Sequence, residues 1–339
     1  MIHSRQLFTS PASSVLLPLR RLPEPGPVAI LDEPRRSYTL AEAYAYCERM
    51  ARTRHENVPV ASRFLPEAMR PHVLAIYAFA RAADDFADEP EFQGQRHSAL
   101  ENWEGELFRT FHGEADHPVF VALRDTVERC DLPITPFTDL LTGFRMDLSP
   151  ATFATFEELR TYTRHAAEPL GQLMLLIFGC RNPALQSYAA DLCTGLQIAS
   201  FLQDLGRDLP RGRLYIPLED LRHFGVLPEG SRVAPASAHL LAAPTRDFTD
   251  LLRFQVSRAR SLLERGRPLL EKVGPELSFE LELTFASGQA MLDKIESLGD
   301  GVLRGRPTLG NADRARVLAK SVQRRWPQLL GRQVGRFHL

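Results

Sequence analysis

Cysteine is scarce and scattered. Cys47, Cys130, Cys180 and Cys193 stand far apart, with no CxxC pair and no Cys/His spacing suited to zinc. A disulfide frame is thereby excluded, and the four thiols read as small core residues in a reducing compartment. Long apolar runs are also missing. The longest, around Leu173 to Phe178, stops at Gly179-Cys180-Arg181, well short of the roughly 20 residues that a membrane span needs. No compact apolar segment with a cleavage site opens the chain, so a cytoplasmic protein is expected. A net charge of -1 gives no whole-chain pull on nucleic acid, which is not an expected partner. Glycine-rich phosphate loops, a nicotinamide fingerprint and a Ser-His-Asp arrangement are absent as well.

What the chain does have is helical periodicity. Six prolines between Pro11 and Pro34 mark residues 1–36 as an extended or poorly ordered leader. Ser37-Tyr38-Thr39-Leu40 then reads as the cap of a helix through Ala41 to Arg54. Further helices are expected over about 71–89, 98–112, 117–131, 135–147, 156–178, 184–209 and 246–270. The interval Pro228 to Pro244, rich in proline, glycine and alanine, reads as a surface loop. Leu277, Phe279, Leu281, Leu283 and Phe285 alternate as in a strand. With no second strand to pair, a helix is the better expectation. The expected architecture is one all-α domain over 37–330, with 331–339 as a tail.

Two acidic rows carry the chemistry. In QIASFLQDLGRD, Gln197, Ser200, Asp204 and Asp208 follow each other at spacings of three, four and four, which is one helix face. Their neighbours Ile198, Phe201, Leu202 and Leu205 are apolar, so the helix is expected to be buried. In the helix starting at Pro71, the apolar stripe of Val73, Ile76, Tyr77 and Ala80 continues onto Asp84 and Asp88. Arg81 falls close to that face, whereas Asp85 and Glu89 fall about 100° around, toward solvent or an outer shell.

Oxygen-only ligands without histidine or cysteine suit a hard cation, and Mg²⁺ completes its shell with water and substrate phosphate. Four facing carboxylates repel each other by roughly 4 kcal/mol per 4 Å pair at an effective dielectric near 20. A bound cation reverses that sign, and Arg81 can neutralise phosphate oxygens. The pattern therefore points to Mg²⁺ and diphosphate. From Arg304 onward nine Lys or Arg face a single acid, Asp313. That end reads first as a solvated helix, and it leaves room for peripheral contact with the inner face of the membrane. His55 and His165 read as loop or packing histidines, and Trp103 and Trp326 give no functional signal.

ARAADDFADE (80–89), QIASFLQDLGRD (197–208) and RGRLYIPLEDL (211–221) resemble the two aspartate motifs and adjoining flap of the squalene/phytoene synthases. HENVPVASRFLP (55–66), LDKIE (292–296) and RGRPTLG (304–310) resemble the bacterial hydroxysqualene synthase branch of the hopanoid squalene route. The resemblance implies an all-α isoprenoid (terpene) synthase fold around a central hydrophobic cavity. It implies Asp84, Asp88, Asp204 and Asp208 as Mg²⁺ ligands and Gln197 and Ser200 on the cavity side of the second helix. It places Arg81, Tyr77 and Arg213 near the diphosphate, Tyr162 and Tyr215 near the reacting carbons, and Asn57 and Ser62 among the substrate contacts. The chain departs from the pattern at Ser200 and Glu168, where asparagine is usual, and in a HENVP loop without the aromatic that typically follows its histidine. The implied reaction takes presqualene diphosphate to hydroxysqualene, with hand-off to upstream and downstream enzymes of squalene synthesis. The alternatives are a head-to-head condensing synthase and a non-catalytic helical binding protein of the same fold.

Overall fold

Prolines that would break most helices start them here. Pro71, Pro118, Pro136, Pro169, Pro183 and Pro275 all sit in the first turn of a helix, where the missing N–H has no intrahelical partner to lose. The structure, a computed structural model, describes residues 37–53, 65–149, 152–227 and 246–334. The expected leader, His55, Asn57, Ser62 and the loop from Pro228 to Pro244 lie outside the described residues.

The helices run in order α1 (Leu40–Thr53), α2 (Arg70–Asp88), α3 (Arg96–Phe111), α4 (Pro118–Cys130), α5 (Thr135–Met146), α6 (Phe156–Ala166) and α7 (Glu168–Ile177). They continue with α8 (Pro183–Asp208), α9 (Leu218–His223), α10 (Arg246–Gly266), α11 (Leu269–Lys272), α12 (Pro275–Leu298) and α13 (Asn311–Val334). No β-strand occurs among the described residues, apart from one isolated bridge between Thr152 and Leu214. Leu277 to Phe285 is helical, as the lack of a pairing strand required. Thr39 caps α1 reciprocally with Glu42: its backbone N–H donates to Glu42 Oε2 at 2.8 Å, and its hydroxyl accepts from the Glu42 N–H at 3.3 Å.

Two helices differ from expectation. The segment 156–178 breaks at Ala167, because the ring of Pro169 cannot sit inside a continuous helix. The segment 246–270 ends at Gly266 for the same reason, with Pro268 starting a separate turn. The final helix reaches Val334.

Helix α2 is buried almost throughout, from Val73 to Ala87. Its C-terminal half is anchored by aromatic rings: Phe86 meets Trp103 edge-on at 5.4 Å, and Trp103 packs on Phe120 at 4.4 Å. The Trp103 indole N–H also donates to the Phe79 carbonyl at 3.2 Å. The acidic end of α2 thus stands on a rigid aromatic floor. On the other side of the domain, α8 packs along α10 so tightly that a Cβ on Gly195 would stand 3.0 Å from the Ala259 carbonyl oxygen.

Candidate active site

Asp84 and its neighbour Asp85 are neutralised from within their own helix. Arg81 Nη1 lies 3.2 Å from Asp84 Oδ2, and Arg81 Nη2 lies 2.8 Å from Asp85 Oδ1. All three side chains are buried. Burial alone would lower the Arg81 pKa, but the Asp84 and Asp85 carboxylates outweigh it and hold the guanidinium above its ordinary value. Tyr77, half-buried one turn earlier, acts on Arg81 in the same direction. Of the two places expected for Asp85, solvent or an outer shell, its burial excludes the first. Asp85 is 2% exposed, because Arg81 reaches it at i,i+4 and makes its burial tolerable.

Asp88, the other acid of this row, is held from far away in sequence. Arg213 Nη2 donates to Asp88 Oδ1 at 2.8 Å across 125 residues. Arg213 itself is fixed at the end of α8, where Gly212 turns the chain with φ +73 and the Arg213 N–H donates to the Asp208 carbonyl at 3.0 Å. Arg213 therefore links the second acidic row to the first.

On α8, Gln197, Ser200, Asp204 and Asp208 are all buried, as the one-face spacing required. Arg306 grips Asp204 with a fork: Nε to Oδ1 at 2.5 Å and Nη2 to Oδ2 at 3.3 Å. Periodicity within either helix could not have found this arginine, which lies 102 residues away. The sequence signal was its place in the RGRPTLG motif. Gln197 Oε1 is buried without a hydrogen-bond partner among the described residues. Such an acceptor is costly unless water or a ligand meets it.

The predicted tyrosines come together. Tyr162 and Tyr215 lie 5.9 Å apart, and Phe201, on α8 between Ser200 and Asp204, stacks on Tyr215 at 4.1 Å with planes 3° apart. Phe153 closes the group at 5.4 Å from Tyr162. The Tyr162 hydroxyl donates to Asp147 Oδ1 at 2.8 Å, a partner that nothing in the sequence pattern singled out. The flap carrying Arg213 and Tyr215 is held beside Phe153 by backbone bonds from Leu218 to the Phe153 carbonyl (2.9 Å) and from Glu219 to the Ala154 carbonyl (3.0 Å). His165 Nδ1 lies 3.4 Å from Asp139 Oδ1.

Two largely buried acidic rows, the buried Arg81, the partly buried Arg213 and Arg306 from separate segments and an aromatic group beside them fit chemistry on an anionic, partly apolar substrate. The matching family model is squalene/phytoene synthase, over residues 51–313. The chain belongs to this family. The crystal structure of squalene synthase HpnC from Alicyclobacillus acidocaldarius is similar at 38% identity and a TM-score of 0.71, covering 77% of this chain and 95% of that one. A phytoene synthase from Mycobacterium bovis is 32% identical, over 68% of this chain and 74% of its own. One from Arthrospira platensis is 29% identical, over 76% and 85%. A dehydrosqualene synthase structure at 22% identity, with a TM-score of 0.75, shares the fold.

Among the described residues no group of three or more His, Cys, Asp or Glu side chains is placed to hold a metal by protein ligands alone. Mg²⁺ does not need one, since it takes one or two carboxylates and completes its octahedron with waters and phosphate oxygens. Asp84, Asp88, Asp204 and Asp208 supply hard oxygen donors, so the residues fit the ion as a partner of a bound diphosphate. No described helix is long and apolar enough to cross a membrane.

Proposed function

We propose that this protein converts presqualene diphosphate and water to hydroxysqualene, with release of diphosphate, in a Mg²⁺-dependent reaction. The observation that carries the reading is the set of oxygen-only acids in two rows, each met by a guanidinium: Arg81 and Arg213 on the first row, Arg306 on the second. Asp84, Asp88, Asp204 and Asp208 would hold the metal, and Mg²⁺ would supply charge neutralisation at the diphosphate as it departs. Arg81 and Arg213 orient the diphosphate oxygens, and a guanidinium fork suits that geometry. Tyr162, Tyr215, Phe201 and Phe153 present electron-rich ring faces to the carbocation left after ionisation. The open Gln197 acceptor offers a place to orient the attacking water, with Ser200 one turn above it. The balance is one C–O bond broken to diphosphate and one C–O bond formed to water, which loses a proton.

The similarity to squalene synthase HpnC at 38% identity supports this branch. A second reading, head-to-head condensation of two prenyl diphosphates as in a phytoene synthase, is favoured by the names of curated relatives at 26–32% identity. In either case the substrate class is an isoprenoid diphosphate. The product is insoluble in water, and the exposed Arg316 and Lys320 of α13 suit peripheral contact with anionic lipid.

Purified protein incubated with Mg²⁺ and presqualene diphosphate should yield hydroxysqualene by mass spectrometry. A product formed only from farnesyl or geranylgeranyl diphosphate would replace this reading with the second.

A further inference from the structure

The way Arg306 reaches Asp204 is built, not incidental. After α12 the chain makes a short turn, Gly299–Leu303, that lies directly on α8 at Gly206. A Cβ on Gly206 would stand 2.6 Å from the Leu303 carbonyl oxygen and 2.8 Å from that of Val302, so only glycine admits the turn. One turn of α8 earlier, Gln203 Nε2 donates to the Pro307 carbonyl at 2.7 Å. Arg306 lies between these two anchors, and its guanidinium spans both oxygens of Asp204. The side chains are 13% and 6% exposed.

Both oxygens of Asp204 are therefore engaged. A lone divalent cation that took this carboxylate would leave a guanidinium buried without a counter-charge, which is costly. A diphosphate removes that cost, because it accepts the same fork. We infer that Arg306 makes cation binding at Asp204 conditional on diphosphate, so that the two ligands enter as a unit. The inference rests on the proposed function, in which Asp204 is a metal ligand. Its thermodynamic content is a positive and reciprocal coupling between Mg²⁺ and diphosphate, set by one ion pair. A site so arranged discriminates against free Mg²⁺ and selects substrates that bring a diphosphate with them.

Isothermal titration of the full-length protein with Mg²⁺, with inorganic diphosphate, and with each in the presence of the other tests this. Wild type should bind each ligand weakly alone and tightly together. R306Q should bind Mg²⁺ alone about ten-fold more tightly, with the coupling reduced by a similar factor, the scale of one charge-assisted pair. Q203A keeps the charge but frees the segment, and should shift both quantities the same way by about three-fold; it carries the test if R306Q does not fold. R304Q, which loses only the exposed pair with Asp300 at 2.9 Å, should match wild type. Unchanged Mg²⁺ affinity with intact coupling in R306Q and Q203A overturns the inference while leaving the proposed site standing. Failure of wild type to bind Mg²⁺ and diphosphate together overturns both.

Discussion

The two acidic rows are neutralised from opposite resources. For Asp84 and Asp85 on α2 the counter-charge is local: Arg81 sits three and four residues before them. On α8 it is borrowed, from Arg306 across 102 residues, and Arg213 at the end of α8 is lent in turn to Asp88. A local pair forms as soon as the helix does, whereas a borrowed pair exists only in the completed fold. Asp84 in the first row is thus preorganised by secondary structure, and Asp88 and the second row by tertiary packing, although both rows are expected to meet the same ligand. Removing the carboxylates themselves should erase the difference. D84N and D204N should each lower diphosphate release by about a thousand-fold, the scale of losing a preorganised electrostatic group. The double variant should fall little further if the rows act as a unit. Normal turnover in either single variant, followed by diphosphate assay, would sink the shared-site mechanism.

The arginines should separate the rows. R81Q leaves Asp84 and Asp85 buried beside a neutral amide, so it should destabilise the fold by about 3 kcal/mol, read by denaturant unfolding. The double variant R81Q/D85N should recover part of that loss; no recovery would mean that the pair is not what holds Asp85 in the core. G206A tests the borrowed side. The added methyl meets backbone oxygens at 2.6 and 2.8 Å, so the turn must move, at a cost of about 1–3 kcal/mol. Thermal unfolding should show the loss, and Mg²⁺ titration should show the same gain in lone-cation affinity as R306Q. A stable G206A protein with unaltered Mg²⁺ binding would mean that the close crossing does not aim Arg306.

The same asymmetry decided what the sequence could tell. Asp84 and Asp88 were legible because they continue an apolar stripe, and Arg81 because it lies one turn away on that helix. The all-α architecture was legible from periodicity and from the absence of any partner for the 277–285 alternation. Asp85 was left between solvent and an outer shell because a helical wheel counts angle alone, and a neighbouring guanidinium can carry an acid inward. The break at Ala167 was missed because apolar periodicity continued across Pro169. Arg306 and Asp147 could not be found as site residues by spacing, since each reaches its partner through a turn or helix end whose position depends on packing.

The smallest effect concerns Glu168, an acid near α8 whose nearest guanidinium stands 4.0 Å away. Glu168 accepts from the Thr194 hydroxyl at 3.1 Å, while Arg160 stands 4.0 Å away. Burial raises its pKa, more than the Thr194 bond and the arginines lower it. An acid whose pKa is higher folded than unfolded contributes stability that is complete below its unfolded value, near 4.3, and lost as pH rises through the folded value. At neutral pH, therefore, charged Glu168 costs the fold something that a neutral amide does not. E168Q keeps an acceptor for Thr194 and should raise Tm by about 1 °C at pH 7.5. The gain should vanish below about pH 4, where wild type is protonated in both states. The Asp204 fork should show the contrast: D204N, which discards a paired carboxylate, should lower Tm at pH 7.5 in the same assay. A gain for E168Q at pH 4 with none at pH 7.5 would mean that Arg160 holds Glu168 as firmly as Arg306 holds Asp204, and the distinction between gripped and ungripped acids around α8 would fall.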